Sequence, residues 1–138
     1  MYSLDSKGHV IVPLVRIDAL RMEPPQLEAL GDAVHQALMD SIGFPADDRF
    51  QILTSHDGTT GTLRHGTYLD IPRDDGIVYI DITMRAGRTD DQKKKLYARV
   101  CALAHERADV APHNVFIVIH ENTQADWSFG HGQAQYLP

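Results

Sequence analysis

Apolar residues recur along this chain in two alternating rhythms. Val12-Pro13-Leu14-Val15-Arg16-Ile17 is a short apolar run of the length that makes a buried strand. Next, Leu27, Leu30, Val34, Leu38 and Ile42 fall three or four residues apart, which gathers them on one face of a helix opening at Pro24-Pro25. A second strand follows at Arg49-Phe50-Gln51-Ile52-Leu53. The same order then returns, displaced by roughly 65 residues, as an internal repeat. Its strand is Ile77-Val78-Tyr79-Ile80-Asp81-Ile82-Thr83, its helix carries Leu96, Val100, Leu103 and Ala104 on one face, and Val115-Phe116-Ile117-Val118-Ile119 closes it.

Punctuation supports these boundaries. Thr89-Asp90-Asp91-Gln92 has the spacing of a capping box, and Gly43-Phe44-Pro45 and Val110-Ala111-Pro112 are matching stops. The pattern predicts an α+β fold: a tandem βαβ repeat forming a four-stranded sheet with two helices on one face. The other face would be uncovered, and strands this apolar predict self-association. Between the units, residues 54–73 are rich in Gly, Thr and Asp and read as a long loop, with a short strand expected at 67–71. Such a loop would line a subunit contact or a site.

Composition narrows the class. A length of 138 residues with 43% hydrophobic content suits one compact domain. A net charge of -6, with no basic run longer than Lys93-Lys94-Lys95, weighs against nucleic acid or an anionic membrane as partner. No apolar run approaches the roughly 20 residues needed to cross a bilayer, and residues 1–12 lack the apolar core of a signal peptide. The lone Cys101, inside a helical pattern, fits a reducing compartment, so a cytoplasmic protein is expected.

Two segments carry a family resemblance. Pro45-Ala46-Asp47-Asp48-Arg49-Phe50-Gln51 is similar to the Pro-x-x-Asp-Arg-x-Gln segment of malonate semialdehyde decarboxylases, and so is the aromatic, glycine-bearing segment from Ala125-Asp126-Trp127-Ser128-Phe129 to Tyr136-Leu137. With a proline opening the first strand and a basic turn after the third, the chain resembles the tautomerase superfamily, in its malonate semialdehyde decarboxylase-like group. The resemblance implies a homotrimer with an amino-terminal proline at the base of a pocket near subunit boundaries, and no metal or organic cofactor. It covers residues 13–137. Residues 13–138 are therefore read as the single tautomerase-like domain and 1–12 as an N-terminal extension.

The resemblance also implies site residues. Pro13 would be the catalytic amine, yet after Val12 its nitrogen is an amide of negligible basicity. A GUG valine codon can start translation as methionine, and methionine removal at Val12 would expose Pro13; an over-extended gene start is the expectation. The alternative is a retained segment that leaves Pro13 as a strand-opening proline without chemistry. Arg85 and Arg88 flank Ala86-Gly87 where guanidinium groups near a helix N-terminus could bind a carboxylate, or could simply pair with Asp90 or Asp91. Their Arg-x-x-Arg spacing departs from the decarboxylases, which have one residue between, and is similar to cis-3-chloroacrylic acid dehalogenase. Asp48 matches the family's catalytic carboxylate, which orients water or the proline; ordinary turn chemistry is the alternative. Trp127 and Phe129 would form an apolar wall excluding water from the substrate, or serve packing alone.

Three further features complete the picture. His131 stands where an aromatic is expected and is either an exposed loop residue or a determinant of substrate choice. His35 is similar in position to a dehalogenase histidine, though a lone helical histidine is more often half buried and structural. His105-Glu106 and His120-Glu121 lack the second histidine of a zinc protease, and no phosphate-binding glycine loop is present. The expected activity is decarboxylation of malonate semialdehyde or a similar 3-oxo acid. The alternatives are keto-enol tautomerisation of 2-oxo acids, or non-catalytic binding by a trimer if the extension is retained.

Overall fold

The computed structural model describes residues 12–138; residues 1–11 of the expected extension lie outside the described residues. The elements run β1 (Leu14–Leu20), α1 (Pro24–Ile42), β2 (Gln51–His56), β3 (Val78–Arg85), α2 (Asp90–Ala108) and β4 (Val115–Asn122), with single 3-10 turns at Pro112–Asn114 and Gln124–Asp126. They form a four-stranded sheet in the order β2-β1-β3-β4. β1 and β2 are parallel, β3 and β4 are parallel, and the two units meet antiparallel along β1 and β3. The tandem βαβ architecture is thus as the hydrophobic pattern predicts.

Local chemistry sets the helix ends. Pro24 and Pro25 supply the fixed φ of a first turn at positions whose N–H groups would have no helical partner. Gly43 closes α1 in the left-handed region, φ 89°, and its N–H reaches the Leu38 and Met39 carbonyls. Thr89 caps α2 with a complete box: its hydroxyl accepts from the Gln92 N–H, and the Gln92 side chain accepts from the Thr89 N–H. β2 starts two residues later than predicted and extends to His56. The strand predicted at 67–71 is instead a tight turn with one bridge between Tyr68 and Ile71. Leu69 and Asp70 take φ values of 57° and 56°, which no strand accommodates.

Alternation sorts the sheet faces. Val15, Ile17 and Ala19 of β1 and Val78, Ile80, Ile82 and Met84 of β3 are buried against Leu30, Val34 and Leu38 of α1 and Leu96, Val100 and Leu103 of α2. Each large side chain buried there contributes about 1.5–3 kcal/mol. The other face is mixed rather than apolar. Ile52, Phe116 and Val118 stand about 40% exposed, but between them lie the polar contacts His56–Asp18 (2.7 Å) and His120–Asp81 (3.1 Å). The loop after β2 also reaches this face: Tyr79 donates its hydroxyl to the Arg64 carbonyl, and Arg73 stands 5.8 Å over the Phe116 ring.

Candidate active site

Topology brings one end of every strand to the same place. β1 is central, and the starts of β1 and β2 meet the ends of β3 and β4. Leu14 pairs with Thr83 and Arg85 with Asn122, while the Val15 N–H donates to the Phe50 carbonyl at 3.0 Å. Pro13, immediately before β1, is buried at this end. It lines an open cavity of about 460 Å³ together with Phe50, Thr83, Asn122, Trp127 and Phe129. The structure therefore brings together three of the predicted residues, Pro13, Trp127 and Phe129.

The aromatic wall is braced from behind. Trp127 and Phe129 stack with ring centroids 5.5 Å apart, and Tyr136 meets Phe129 edge-on at 4.8 Å. Ahead of them, Asp126 accepts from the Thr123 N–H and hydroxyl, fixing the turn that delivers Trp127. The Trp127 indole N–H then donates to Asn122 Oδ1 at 2.8 Å. Gln135 clamps the far side, accepting from the Phe129 N–H and donating to the Gly130 carbonyl. This fixed apolar wall can keep water from a reacting anion. His131 is exposed on the turn at φ 58° and does not line the cavity.

The polar candidates Arg85, Arg88 and Asp48 are not among the residues lining this cavity. Arg85 borders a smaller adjoining cavity of about 230 Å³ with Asn122, Thr123 and Gln124, and no described residue accepts from its buried Nε. Arg88 is buried at 7% exposure, its guanidinium 5.8 Å from the centre of the Phe44 ring. Arg85 shares a sheet face with Asn122, whereas Arg88 lies on the helix side against Phe44. Glu121 anchors the turn that carries Arg88. It accepts from Lys93 Nζ at 2.5 Å and from the Gly87 N–H, and these bonds, with Lys93 foremost and the Arg88 charge beyond, hold its carboxyl below the usual range. The same bond raises the Lys93 ammonium.

Asp48 is also buried, at 6% exposure, in a turn where its N–H donates to the Pro45 carbonyl at 3.1 Å. His35, on the inner part of α1, holds that turn through Nε2 and the Ala46 carbonyl at 2.9 Å. The Asp-Arg-x-Gln segment is pinned to α1 as well: Arg49 pairs with Asp32 at 2.5 Å, and Gln51 donates to the Gly31 carbonyl at 2.8 Å. Sequence reasoning missed Asn122, which borders both cavities. The available signal was its position one residue before the Thr123-x-x-Asp126 capping spacing.

Among the described residues, no three His, Cys, Asp or Glu side chains gather where they could hold a metal ion, and no helix is long and apolar enough to cross a membrane.

Comparison with known proteins agrees with this geometry. Two family models, each described as tautomerase enzyme, match residues 48–130 and 13–70. "Probable tautomerase YusQ" of Bacillus subtilis (strain 168) is 34% identical over 111 residues, covering 80% of this chain and 87% of its own. The crystal structure of an FG41 malonate semialdehyde decarboxylase inhibited by 3-bromopropiolate is 41% identical, covers 89% of this chain and 93% of its own, and superposes with a TM-score of 0.79. A second malonate semialdehyde decarboxylase is 30% identical, with coverage of 89% and 95% and a TM-score of 0.78. Its structures include a variant with the amino-terminal proline replaced by alanine and bear on decarboxylase and hydratase activities. With family models spanning both halves of its repeat, this chain is a member of the tautomerase superfamily, in its malonate semialdehyde decarboxylase-like group.

Proposed function

We propose that the active form of this protein begins at Pro13, carries a single tautomerase-like domain over residues 13–138, and decarboxylates malonate semialdehyde or a similar 3-oxo acid without a cofactor. The observation that carries this reading is the buried position of Pro13 at the start of the central strand, on an open cavity walled by Trp127 and Phe129. A free secondary amine there can work in either of two ways. As the ammonium, it donates to the carbonyl oxygen and stabilises the enolate left when the bond to the carboxylate breaks and carbon dioxide departs. As the amine, it adds to the carbonyl carbon and loses water to form an iminium. The electron pair of the breaking bond then neutralises the nitrogen as an enamine. Protonation at carbon and addition of water release the aldehyde and restore the amine.

In this reading Arg85 and Arg88 supply the positive field for the substrate carboxylate, and Asp48 orients water or tunes the proline. The protein works in the cytoplasm as a homotrimer, packing the mixed sheet face that carries Ile52, Phe116 and Val118 against neighbouring copies.

The test starts with the intact mass of the protein expressed from its own gene context. A chain starting at Pro13 should release carbon dioxide from malonate semialdehyde, and Pro13→Ala should abolish the release. Retention of residues 1–12 in an active protein would refute the proline mechanism. The similarity to a probable tautomerase favours a second reading, keto-enol tautomerisation of 2-oxo acids, in which Pro13 acts as a free base. The pH profile separates it from the ammonium route, since proton transfer by a base fails on acidification while catalysis by the ammonium fails on the alkaline side, and borohydride trapping of Pro13 identifies the iminium route.

A further inference from the structure

Asn122 ends β4 directly beside Arg85, which ends β3, and the two share a sheet face. Its side chain borders both the cavity of Pro13 and Trp127 and the adjoining cavity of Arg85. The orientation of its amide is determined by chemistry. An indole N–H only donates, so the atom 2.8 Å from Trp127 Nε1 must be the amide oxygen. The Nδ2 group is then turned elsewhere, and no described residue accepts from it. Arg85 Nε, across the strand pair, is buried and also has no described acceptor. Two unspent donors on neighbouring strands, at the junction of two cavities, are an acceptor site for an anion.

We infer that Asn122 is a substrate-binding residue whose Nδ2 donates to the carboxylate of the oxo acid alongside Arg85, fixing how far that carboxylate stands from Pro13. The inference rests on the reading of the substrate as an oxo acid bound at Pro13. It also gives the site a ruler for chain length. Trp127, by holding the amide oxygen, keeps the donor aimed, which joins the apolar wall to the polar end of the site.

Trp127 is the sole tryptophan in the chain and lies on the cavity, so its fluorescence reports binding without any need for turnover. Pyruvate would be titrated against the parent protein, Asn122→Ala and Asn122→Asp, with methyl pyruvate as the neutral comparison. Loss of one hydrogen bond to a charged group should weaken pyruvate binding by about tenfold or more in Asn122→Ala. Asn122→Asp keeps an oxygen for Trp127 but removes the donor and adds a like charge, so it should weaken binding further. Methyl pyruvate affinity should be the same in all three proteins. Three results would overturn the inference: no quenching by pyruvate in the parent, pyruvate affinity unchanged in Asn122→Ala, or a parallel loss for pyruvate and its ester. Pyruvate binding that depends on Asn122, in a parent that turns over no 3-oxo acid, would uphold this role and remove the decarboxylation reading alone.

Discussion

Replacing Glu121 with Gln should weaken the protein at neutral pH and leave it unchanged in acid. Glu121 accepts from Lys93 Nζ at 2.5 Å and from the Gly87 N–H, so one carboxylate ties α2 to the turn that carries Arg88. Gln keeps the shape and one acceptor oxygen but loses the charge. The side chains are 21% exposed for Lys93 and 35% for Glu121, so solvent screening limits the charge contribution to about 1 kcal/mol. For a chain of this length that is a fall in thermal midpoint of about 4 °C. The bond holds the Glu121 carboxyl below its usual 4.5, so its contribution is complete above that value and disappears as pH falls through the lower folded-state value. Lys93 is raised above 10.5, so its side of the pair contributes fully below that value and fades as pH climbs through the folded-state value. Thermal melts of parent and Glu121→Gln, stepped from pH 7 to pH 3, should therefore converge in acid. A gap that persists unchanged at pH 3, or no gap at pH 7, would refute the electrostatic account.

Other substitutions read other parts of the molecule. Leu38→Ala empties a fully buried position between α1 and the sheet and should cost about 2–5 kcal/mol in urea denaturation. His35→Leu keeps the volume but strands the Ala46 carbonyl. It should cost about 1–3 kcal/mol and lower turnover by loosening the Asp48 turn; unchanged stability would mean that bond holds nothing. Val118→Asp places a charge on the mixed sheet face, and sedimentation should show a smaller species than the parent if that face joins copies.

Much of the fold was legible because each element announces itself locally. Pro24-Pro25, Gly43 and the Thr89–Gln92 box mark helix ends by backbone chemistry, and the repeated spacing of apolar residues marks the faces. The side on which each arginine falls was not legible. A strand reverses its side chains at every residue, so placing Arg85 beside Asn122 requires the register of β3 against β4. Gly87, at φ 123°, then turns the chain so that Arg88 lies on the helix side instead. Asn122 was hidden for a related reason, since its meaning comes from an indole delivered by a turn beyond the strand and from an arginine on the neighbouring strand.

A duplicated fold poses a last question, because its antiparallel halves create two equivalent sheet ends. Ala19 pairs with Val78, so the end of β1 meets the start of β3 just as the end of β3 meets the start of β1. That second end also has a cavity, of about 290 Å³, bordered by Leu20, Gln26, Asp74, Ile77 and Asn114. The residue preceding β3 is Ile77 rather than a proline, and the surroundings are occupied by a latch. Asp74 accepts from the Gly76 N–H and from Asn114, while its own N–H donates back to Asn114. Those bonds, with Gly76 foremost, lower the Asp74 carboxyl to about 2, so it stays an anion satisfied within the fold. At the first end the buried Arg85 Nε has no described acceptor, Asn122 gives its amide oxygen to the Trp127 indole, and the walls are aromatic. The repeat thus offers the same frame twice. One end has closed its polar groups on themselves, and the other leaves its donors open beside Pro13, which is the asymmetry a binding site for an anion requires.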